Sequence, residues 1–198
     1  MKIKAIILTL LLATSLFVGC TSQNTPPKTS ENQQKPSQTT PAETTPNVVT
    51  TASIVNTTQD YKKAISDSGT WIIAVTKDIT FNNEITLNGE FKNGKKDKDG
   101  KDIIQRKVAL YAQDENRKVT ARYTLTAPKF NINSPEASIQ HGTFKGDLYV
   151  SSKNFQLVDT IVEGNVYFTN AEAKSTFKMD ATSKVTGKQE LVTGNQKK

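Results

Sequence analysis

Two side chains that often carry chemistry, a thiol and an imidazole, each occur once in this 198-residue sequence, as Cys20 and His141. A single cysteine cannot form an intramolecular disulfide, and one cysteine with one histidine supplies too few ligands for a structural zinc site. We also expect no Cys–His catalytic pair. Because no carboxylate or nucleophile is evident at a matching position, we predict that His141 is a turn or surface imidazole and not a general base.

Carboxylates are the next candidates for acid–base chemistry. In the C-terminal half they fall at different positions within the repeats described below, as Asp147, Asp159, Glu163 and Asp180. The paired acids of a glycoside hydrolase must face one another across the scissile bond, and the sequence places no two of these residues to do so. We therefore predict no catalytic residues and favour a protein that is not an enzyme.

A faint calcium-loop pattern lies in the middle of the chain. Asp97, Asp99 and Gly100 stand at its third, fifth and sixth places. The first and twelfth places are Lys95 and Arg106, where a calcium loop requires carboxylates. We therefore predict no metal site and no cofactor, and we interpret the stretch as a charged hairpin tip.

The positive charge of the chain is concentrated in one segment. The formal net charge is +7, and residues 92–122 hold ten Lys and Arg against five Asp and Glu. Such a patch attracts anionic polymers or lipid headgroups, so Arg106, Arg117 and Arg122 are candidate ligand-binding residues. Because the basic residues are not interleaved with aromatics, we do not expect a nucleic acid as partner.

The N-terminus has the pattern of an export signal. Lys2 and Lys4 precede an apolar run over residues 5–18, which ends at Gly19 and Cys20. The run is shorter than the ~17–25 residues that a membrane-spanning helix needs. We therefore predict a signal peptide over residues 1–19.

The residues around Cys20 add a more specific signal. Leu16-Phe17-Val18-Gly19-Cys20 resembles the lipobox of bacterial lipoproteins, with Phe17 where the motif usually has Leu. The resemblance implies that Cys20 is lipidated and becomes the first residue of the mature protein. Because two or more acyl chains anchor a protein stably, it also implies attachment to the extracytoplasmic face of the cell membrane.

A change in composition divides the rest of the chain. Residues 20–50 are rich in Thr, Pro and Gln and contain no aromatic residue, so they cannot form a core. We predict a lipid-anchored, disordered tether over residues 20–50. Residues 51–198 hold every aromatic except Phe17 and are predicted to be the folded domain, with a charged excursion at about residues 92–118.

The start of this domain predicts one helix followed by short strands. Thr57 and its neighbours offer N-caps, and Tyr61, Ala64 and Ile65 share one helical face before Gly69. After this helix the chain carries short apolar runs at residues 72–75, 79–81 and 85–87, which are separated by polar turn residues and are typical of strands.

The C-terminal half contains an internal repeat, which bears directly on the fold. Residues 144–150 match residues 162–168 and, more loosely, residues 185–191, at intervals of 18 and 23 residues. A second set comprises Phe130-x-Ile132, Phe155-x-Leu157 and Phe177-x-Met179, at intervals of 25 and 22 residues. Each interval suits one coil of a solenoid.

Strand alternation within the repeat predicts which side chains point outward. Stacking of successive coils would place Lys145 beside Glu163 and Tyr149 beside Tyr167 on the surface. The two tyrosines are therefore candidate ligand-binding residues that can stack on sugar rings, although paired tyrosines also stabilise a sheet. Gln189 takes an inward place in the last copy, which indicates the end of the stack.

A capping helix followed by coils with a central glycine resembles the right-handed parallel β-helix proteins of the pectin-lyase-like architecture. It is also similar, more weakly, to the glycine-spaced β-solenoids of polymer-forming cytoskeletal proteins. The predicted fold class is all-β, a right-handed parallel β-helix with a short N-terminal capping helix. An antiparallel β-sandwich is the alternative, because short strands with frequent turns also suit it.

These features together predict a lipid-anchored surface protein with a non-catalytic binding or scaffolding role. Its expected partners are the membrane, through the lipid on Cys20, and a cell-wall polymer or other polysaccharide. A polysaccharide lyase or hydrolase on a β-helix is the first alternative, and a self-associating solenoid is the second.

Overall fold

The computed structural model describes residues 52–192, which form short strands and two short helices. The first half contains β1 (Ser53–Val55), α1 (Thr58–Ala64), β2 (Ile72–Val75), β3 (Ile79–Thr80), β4 (Ile85–Leu87), β5 (Lys92–Lys96), β6 (Asp102–Ile104), β7 (Arg106–Ala109), β8 (Tyr111–Gln113) and β9 (Val119–Arg122). The second half contains β10 (Thr124–Ile132), β11 (Ala137–Gln140), β12 (Thr143–Val150), β13 (Gln156–Val158), β14 (Ile161–Glu163), β15 (Val166–Phe168), α2 (Ala171–Thr176), β16 (Lys178–Met179), β17 (Lys184–Val185) and β18 (Gln189–Leu191).

Two parallel sheets dominate the fold. The first, sheet A, has six strands in the order β1-β2-β7-β11-β13-β16. The second, sheet B, is built on the long strands β10 and β12, each of which pairs with two shorter strands along its length. Because every pairing within these two sheets is parallel, the protein is all-β with parallel sheets, and the antiparallel β-sandwich alternative is wrong.

The register of sheet B follows the first predicted repeat. Phe144 pairs with Val162, which pairs in turn with Val185. Tyr149 pairs with Tyr167. The predicted inward side chains of residues 144, 148 and 150 are fully buried, and Gln189 in the last copy is exposed. The first repeat and its directions are therefore confirmed.

The second predicted repeat is wrong in its first copy. Leu157 pairs with Met179 as expected, but its partner on the other side is Ile139. Phe130 instead belongs to sheet B, where it pairs with Leu148. A Phe-x-apolar pattern is common to buried strands of both sheets, and so the pattern alone did not separate them.

Three glycines of sheet B lie in a column across successive strands. Gly146 has a φ of +130°, and a Cβ built on it would collide with the carbonyl oxygen of Ala127. A Cβ on Gly164 would collide with the carbonyl oxygen of Gly146, and one on Gly187 with that of Gly164. These positions need glycine because the neighbouring backbone occupies the space of a side chain.

Both helices lie against the shared core. The predicted helix is confirmed as α1, whose N-cap Thr57 accepts a hydrogen bond from the Asp60 N–H. Its Tyr61 is fully buried and packs against Phe81, with ring centroids 5.6 Å apart. The sequence analysis did not predict α2, which Asn170 caps. The inward side chains of both sheets form one hydrophobic cluster.

The charged excursion predicted at about residues 92–118 is not a single projecting segment. It contains two antiparallel hairpins, β5–β6 and β8–β9, with the core strand β7 between them. Val108 and Leu110 of this part are fully buried. Because this segment is highly charged, its sequence did not indicate that β7 is a strand whose alternate side chains face the core.

Candidate functional site

The outward surface of sheet B carries two aromatic rings in adjacent strands. Asn131, Tyr149 and Tyr167 are direct partners on β10, β12 and β15, so their side chains project in one row. Lys129 and Asp147 are partners in the neighbouring row. We call the surface formed by residues 129, 131, 147, 149, 165 and 167 the tyrosine face.

The two tyrosines lie side by side and their rings are in contact, as the repeat predicts. Their ring centroids are 4.9 Å apart and the ring planes are inclined by 45°. The ammonium group of Lys129 lies 4.5 Å from the centroid of Tyr149 and 3.3 Å from a carboxylate oxygen of Glu84. A cation over an aromatic ring stabilises both groups, so Lys129 and Tyr149 hold one another in place.

Hydrogen bonds fix the polar row beside the rings. Asp147 Oδ1 accepts hydrogen bonds from the backbone N–H of Asn165 at 2.8 Å and from its side-chain Nδ2 at 2.9 Å. Asn165 Oδ1 in turn accepts the N–H of Lys188 at 2.9 Å. Partial burial and the nearby Asp147 carboxylate raise the pKa of Tyr167 above its ordinary value. Its hydroxyl therefore stays protonated and able to donate at neutral pH.

An ion pair lies further along the same strands. Lys145 Nζ is 3.1 Å from Glu163 Oε2, and the two residues are direct register partners. This confirms the predicted surface pair. Because both side chains are about half exposed, the pair contributes little to stability and serves mainly to balance charge at the edge of the tyrosine face.

The tyrosine face can bind a flat ligand by stacking. Tyrosine rings offer a large apolar surface with a polar tip, and the amide and carboxylate groups of Asn131 and Asp147 lie directly beside them. Sugar rings present the same combination of C–H faces and hydroxyl edges.

The three arginines proposed as ligand-binding residues lie in different environments. Arg117 is exposed in the turn between β8 and β9, with a φ of +63°. Arg122 forms a charge-assisted hydrogen bond of 2.5 Å with Asp159. The structure brings neither of them to the tyrosine face in register, because both belong to the β8–β9 hairpin.

Arg106 is a correction to the expected basic surface, because its side chain has no exposed area. Its Nη2 donates to the carbonyl oxygens of Ala64 and Ser66 at 2.7 and 3.1 Å. The guanidinium carbon lies 3.6 Å from the ring centroid of Phe91. Burial lowers the pKa of Arg106 to about 10. Arg106 therefore caps the carboxyl end of α1 and is not available to a surface ligand.

His141 has an acidic partner that the sequence analysis missed. Its Nδ1 lies 2.9 Å from Asp159 Oδ2, which also binds Arg122. We call residues 122, 141 and 159 the corner cluster. His141 and Asp159 have φ values of +59° and +49°, a backbone conformation in which His and Asp are enriched. Their separation of 18 residues, the same as one interval of the repeat, was the signal that could have revealed the pair.

The carboxylates near this corner are poor proton donors. Hydrogen bonds from His141 and Arg122 hold the pKa of Asp159 below its ordinary value. Hydrogen bonds from Ser183 and from the backbone N–H of Asp159 lower the pKa of Asp180 to about 2. A glycosidase acid needs a raised pKa, so neither carboxyl suits that role.

No protein family, curated protein or solved structure matches this chain.

Three further predictions concern metals and the membrane. Across residues 52–192 no group of three or more His, Cys, Asp or Glu residues could hold a metal ion. Asp97 Oδ1 instead accepts hydrogen bonds from the N–H groups of Asp99 and Lys101 in the β5–β6 turn.

Residues 52–192 contain no helix that is long and apolar enough to cross a membrane. Cys20, the predicted lipidation site, lies outside the described residues, as do the whole predicted signal peptide (residues 1–19) and the whole predicted tether (residues 20–50).

Proposed function

We propose that this protein is a lipid-anchored, extracytoplasmic surface protein that binds cell-wall or other polysaccharide without cleaving it. In this proposal residues 1–19 are a cleaved signal peptide, Cys20 carries the lipid, and residues 20–50 tether the folded domain to the membrane. The Leu16-Phe17-Val18-Gly19-Cys20 motif supports the anchor, and the tyrosine face supports the binding role.

We further propose that the folded domain is a right-handed parallel β-helix. Strands of two parallel sheets alternate along the chain around one core, and register partners recur at intervals such as 18 and 23 residues in sheet B. Crossover connections between parallel strands of one sheet are right-handed in ~98% of proteins. Such a solenoid keeps equivalent side chains in line, which is the property that a linear polymer site requires.

The observation that carries the binding proposal is the contact between Tyr149 and Tyr167, with Lys129 over the Tyr149 ring. Their centroids are 4.9 Å apart, so two aromatic rings lie side by side across two adjacent strands. The aromatic rings suit the C–H faces of sugars, and the neighbouring amide of Asn131 can bind hydroxyl groups.

The proposal is tested by replacing both rings while keeping the strands. Y149T/Y167T removes the aromatic surface, and threonine retains a high strand propensity. We expect the variant to lose most of its cosedimentation with insoluble peptidoglycan, with an affinity at least ~10-fold weaker than that of the unaltered protein. The matched control is Y111A, which removes a half-buried tyrosine of the β8–β9 hairpin.

Each outcome of this comparison is informative. Loss of binding in Y149T/Y167T with retention in Y111A supports the tyrosine face. Retention in Y149T/Y167T contradicts the proposal. Loss of binding in Y111A alone would indicate that the polysaccharide binds at the corner cluster instead. Tyr111 packs edge-on against His141 of that cluster, with ring centroids 4.5 Å apart.

Self-association is a second candidate because of the last repeat. Among the described residues, Met179 and Leu191 are 42% and 37% exposed although they occupy positions in line with core side chains. An uncovered end of a stack can pair with another copy. Light scattering of the purified protein tests this candidate: a single monomer mass at all concentrations would exclude it, and a concentration-dependent mass that L191K abolishes would support it.

A further inference from the structure

The surface of sheet A, on the other side of the core from the tyrosine face, contains a cleft of about 220 Å³. Its floor is formed by outward side chains of β11 and β13, and one wall is formed by Ile103, Ile104 and Gln105 at the end of β6. The β5–β6 hairpin overlaps the sheet here, since Ser138 on the floor is only 4% exposed. The cleft is therefore a concave site built by two elements of the fold.

The lining of this cleft is unusually rich in uncharged hydrogen-bonding groups. Gln140 and Gln156 face it from neighbouring strands, together with Ser138, which is the register partner of Gln156. Gln140 Nε2 donates to Ser138 Oγ at 3.0 Å, which leaves its carbonyl oxygen and second N–H for a ligand. Within residues 52–192 no side-chain hydrogen bond engages Gln156. The two amides together offer donors and acceptors in a fixed pattern.

The lining of the cleft contains one charged group. Glu136 is the one charged residue in it. Its Oε1 already accepts a hydrogen bond of 2.5 Å from Asn154 Nδ2, which holds the carboxylate at the edge of the sheet. No lysine or arginine is among the residues that line the cleft, although Lys107 and Lys178 lie beside its floor as the register partners of Ser138 and Gln156. Apart from Glu136, the groups that line the cleft are uncharged hydrogen-bonding side chains and isoleucines.

We propose that this cleft binds one N-acetylated, uncharged sugar unit. The amides of Gln140 and Gln156 match the N–H and C=O of an acetamido group, and Ile103 and Ile104 offer an apolar wall for its methyl group and for the sugar ring. The volume is below the ~300–1,000 Å³ of pockets for drug-sized ligands, which suits a single ring. This site is separate from the tyrosine face and does not depend on it.

The test uses the full-length protein and N-acetylchitotriose as the probe. Q140M/Q156M removes both amides at nearly constant volume, and Q113M removes an exposed glutamine of β8 as the matched control. We expect the unaltered protein and Q113M to bind the probe in calorimetry or by amide chemical shifts. Q140M/Q156M should bind at least ~10-fold more weakly, because buried partners of the acetamido group are lost. The Gln140 and Gln156 side-chain amide signals of the unaltered protein should shift on binding.

Several results would overturn the inference. Absence of binding to the unaltered protein at ~10 mM probe, a concentration that detects even millimolar affinity, would do so. Undiminished binding by Q140M/Q156M, or unchanged amide signals of both glutamines, would also do so. Y149T/Y167T separates this inference from the proposed function: it should bind the trisaccharide normally, and loss of binding in that variant would assign the sugar to the tyrosine face instead.

Discussion

Nδ1 of His141 lies 2.9 Å from the carboxylate of Asp159, and the two residues occupy equivalent places in successive repeats, 18 residues apart. The same interval relates Lys145 to Glu163 and Asp147 to Asn165. Polar side chains thus form ladders that run across the strands, parallel to the column of glycines. These ladders hold successive repeats in register on the outside while the apolar core does so on the inside.

The corner cluster predicts a pH-dependent contribution to stability. Because the pKa of Asp159 is lowered in the folded state, its ionised form stabilises the fold above the ordinary aspartate pKa of about 3.9. That contribution is lost as the pH falls through the lowered folded value. D159N should therefore lower the free energy of unfolding by ~1 kcal/mol at pH 7, and the difference should disappear at strongly acidic pH.

Denaturant unfolding at a series of pH values measures this difference. Asparagine tolerates the positive φ of residue 159 as aspartate does, so D159N changes the charge without straining the backbone. E115Q, at an exposed position in the β8–β9 turn, is the control. A D159N effect of the same size at pH 7 and at pH 2 would show that charge is not its cause.

The close packing around the glycine column predicts that adding a methyl group to one of its glycines destabilises the fold. G164A should lower the free energy of unfolding by about 3 kcal/mol or more, because its Cβ would collide with the Gly146 carbonyl and force two strands apart. G100A is the matched control: Gly100 has a φ of +78° and a Cβ there would meet nothing within 4 Å, so only ~1 kcal/mol of backbone strain is expected. Equal effects of the two substitutions in thermal or denaturant unfolding would contradict the close approach of the strands.

Arg106 should behave as a structural residue. R106A removes the donors to the carbonyl oxygens of Ala64 and Ser66 and the contact with Phe91. We expect a loss of ~2–4 kcal/mol in the free energy of unfolding. R117A, at the exposed tip of the β8–β9 hairpin, should change it by less than ~0.5 kcal/mol. If R106A left stability unchanged but weakened binding to an anionic polymer, Arg106 would be a ligand residue after all.

The proposed lipid anchor predicts the behaviour of a Cys20 variant. C20S should abolish incorporation of a labelled fatty acid and release the protein from the membrane fraction of cells that express the full chain. Two or more acyl chains are needed for stable attachment, and serine cannot form the thioether that holds them. C20S protein that stays in the membrane fraction and still carries label would rule out lipidation at this residue.

Much of sheet B could be predicted from the sequence, because its repeats share both spacing and alternation. The match between residues 144–150 and 162–168 placed Tyr149 beside Tyr167 and Lys145 beside Glu163, and the structure shows both pairs. The helix α1 was also predictable, since its N-cap and its buried face lie close together in the chain.

The parts that the sequence analysis missed depend on long-range contacts. Arg106 looked like part of a basic surface, yet α1 and Phe91, which enclose it, come from distant parts of the chain. Phe130 was assigned to the wrong sheet because apolar spacing does not distinguish two sheets that share a core. The cleft on sheet A could not be foreseen either, since it exists only where the β5–β6 hairpin overlaps β11 and β13.

We propose above all that this protein holds a polysaccharide and does not cut it. The most direct test incubates the purified protein with peptidoglycan and with polygalacturonate, and measures in one assay the protein retained on the polymer and the new reducing or unsaturated ends. We predict retention with no new ends. The appearance of new ends would contradict the account.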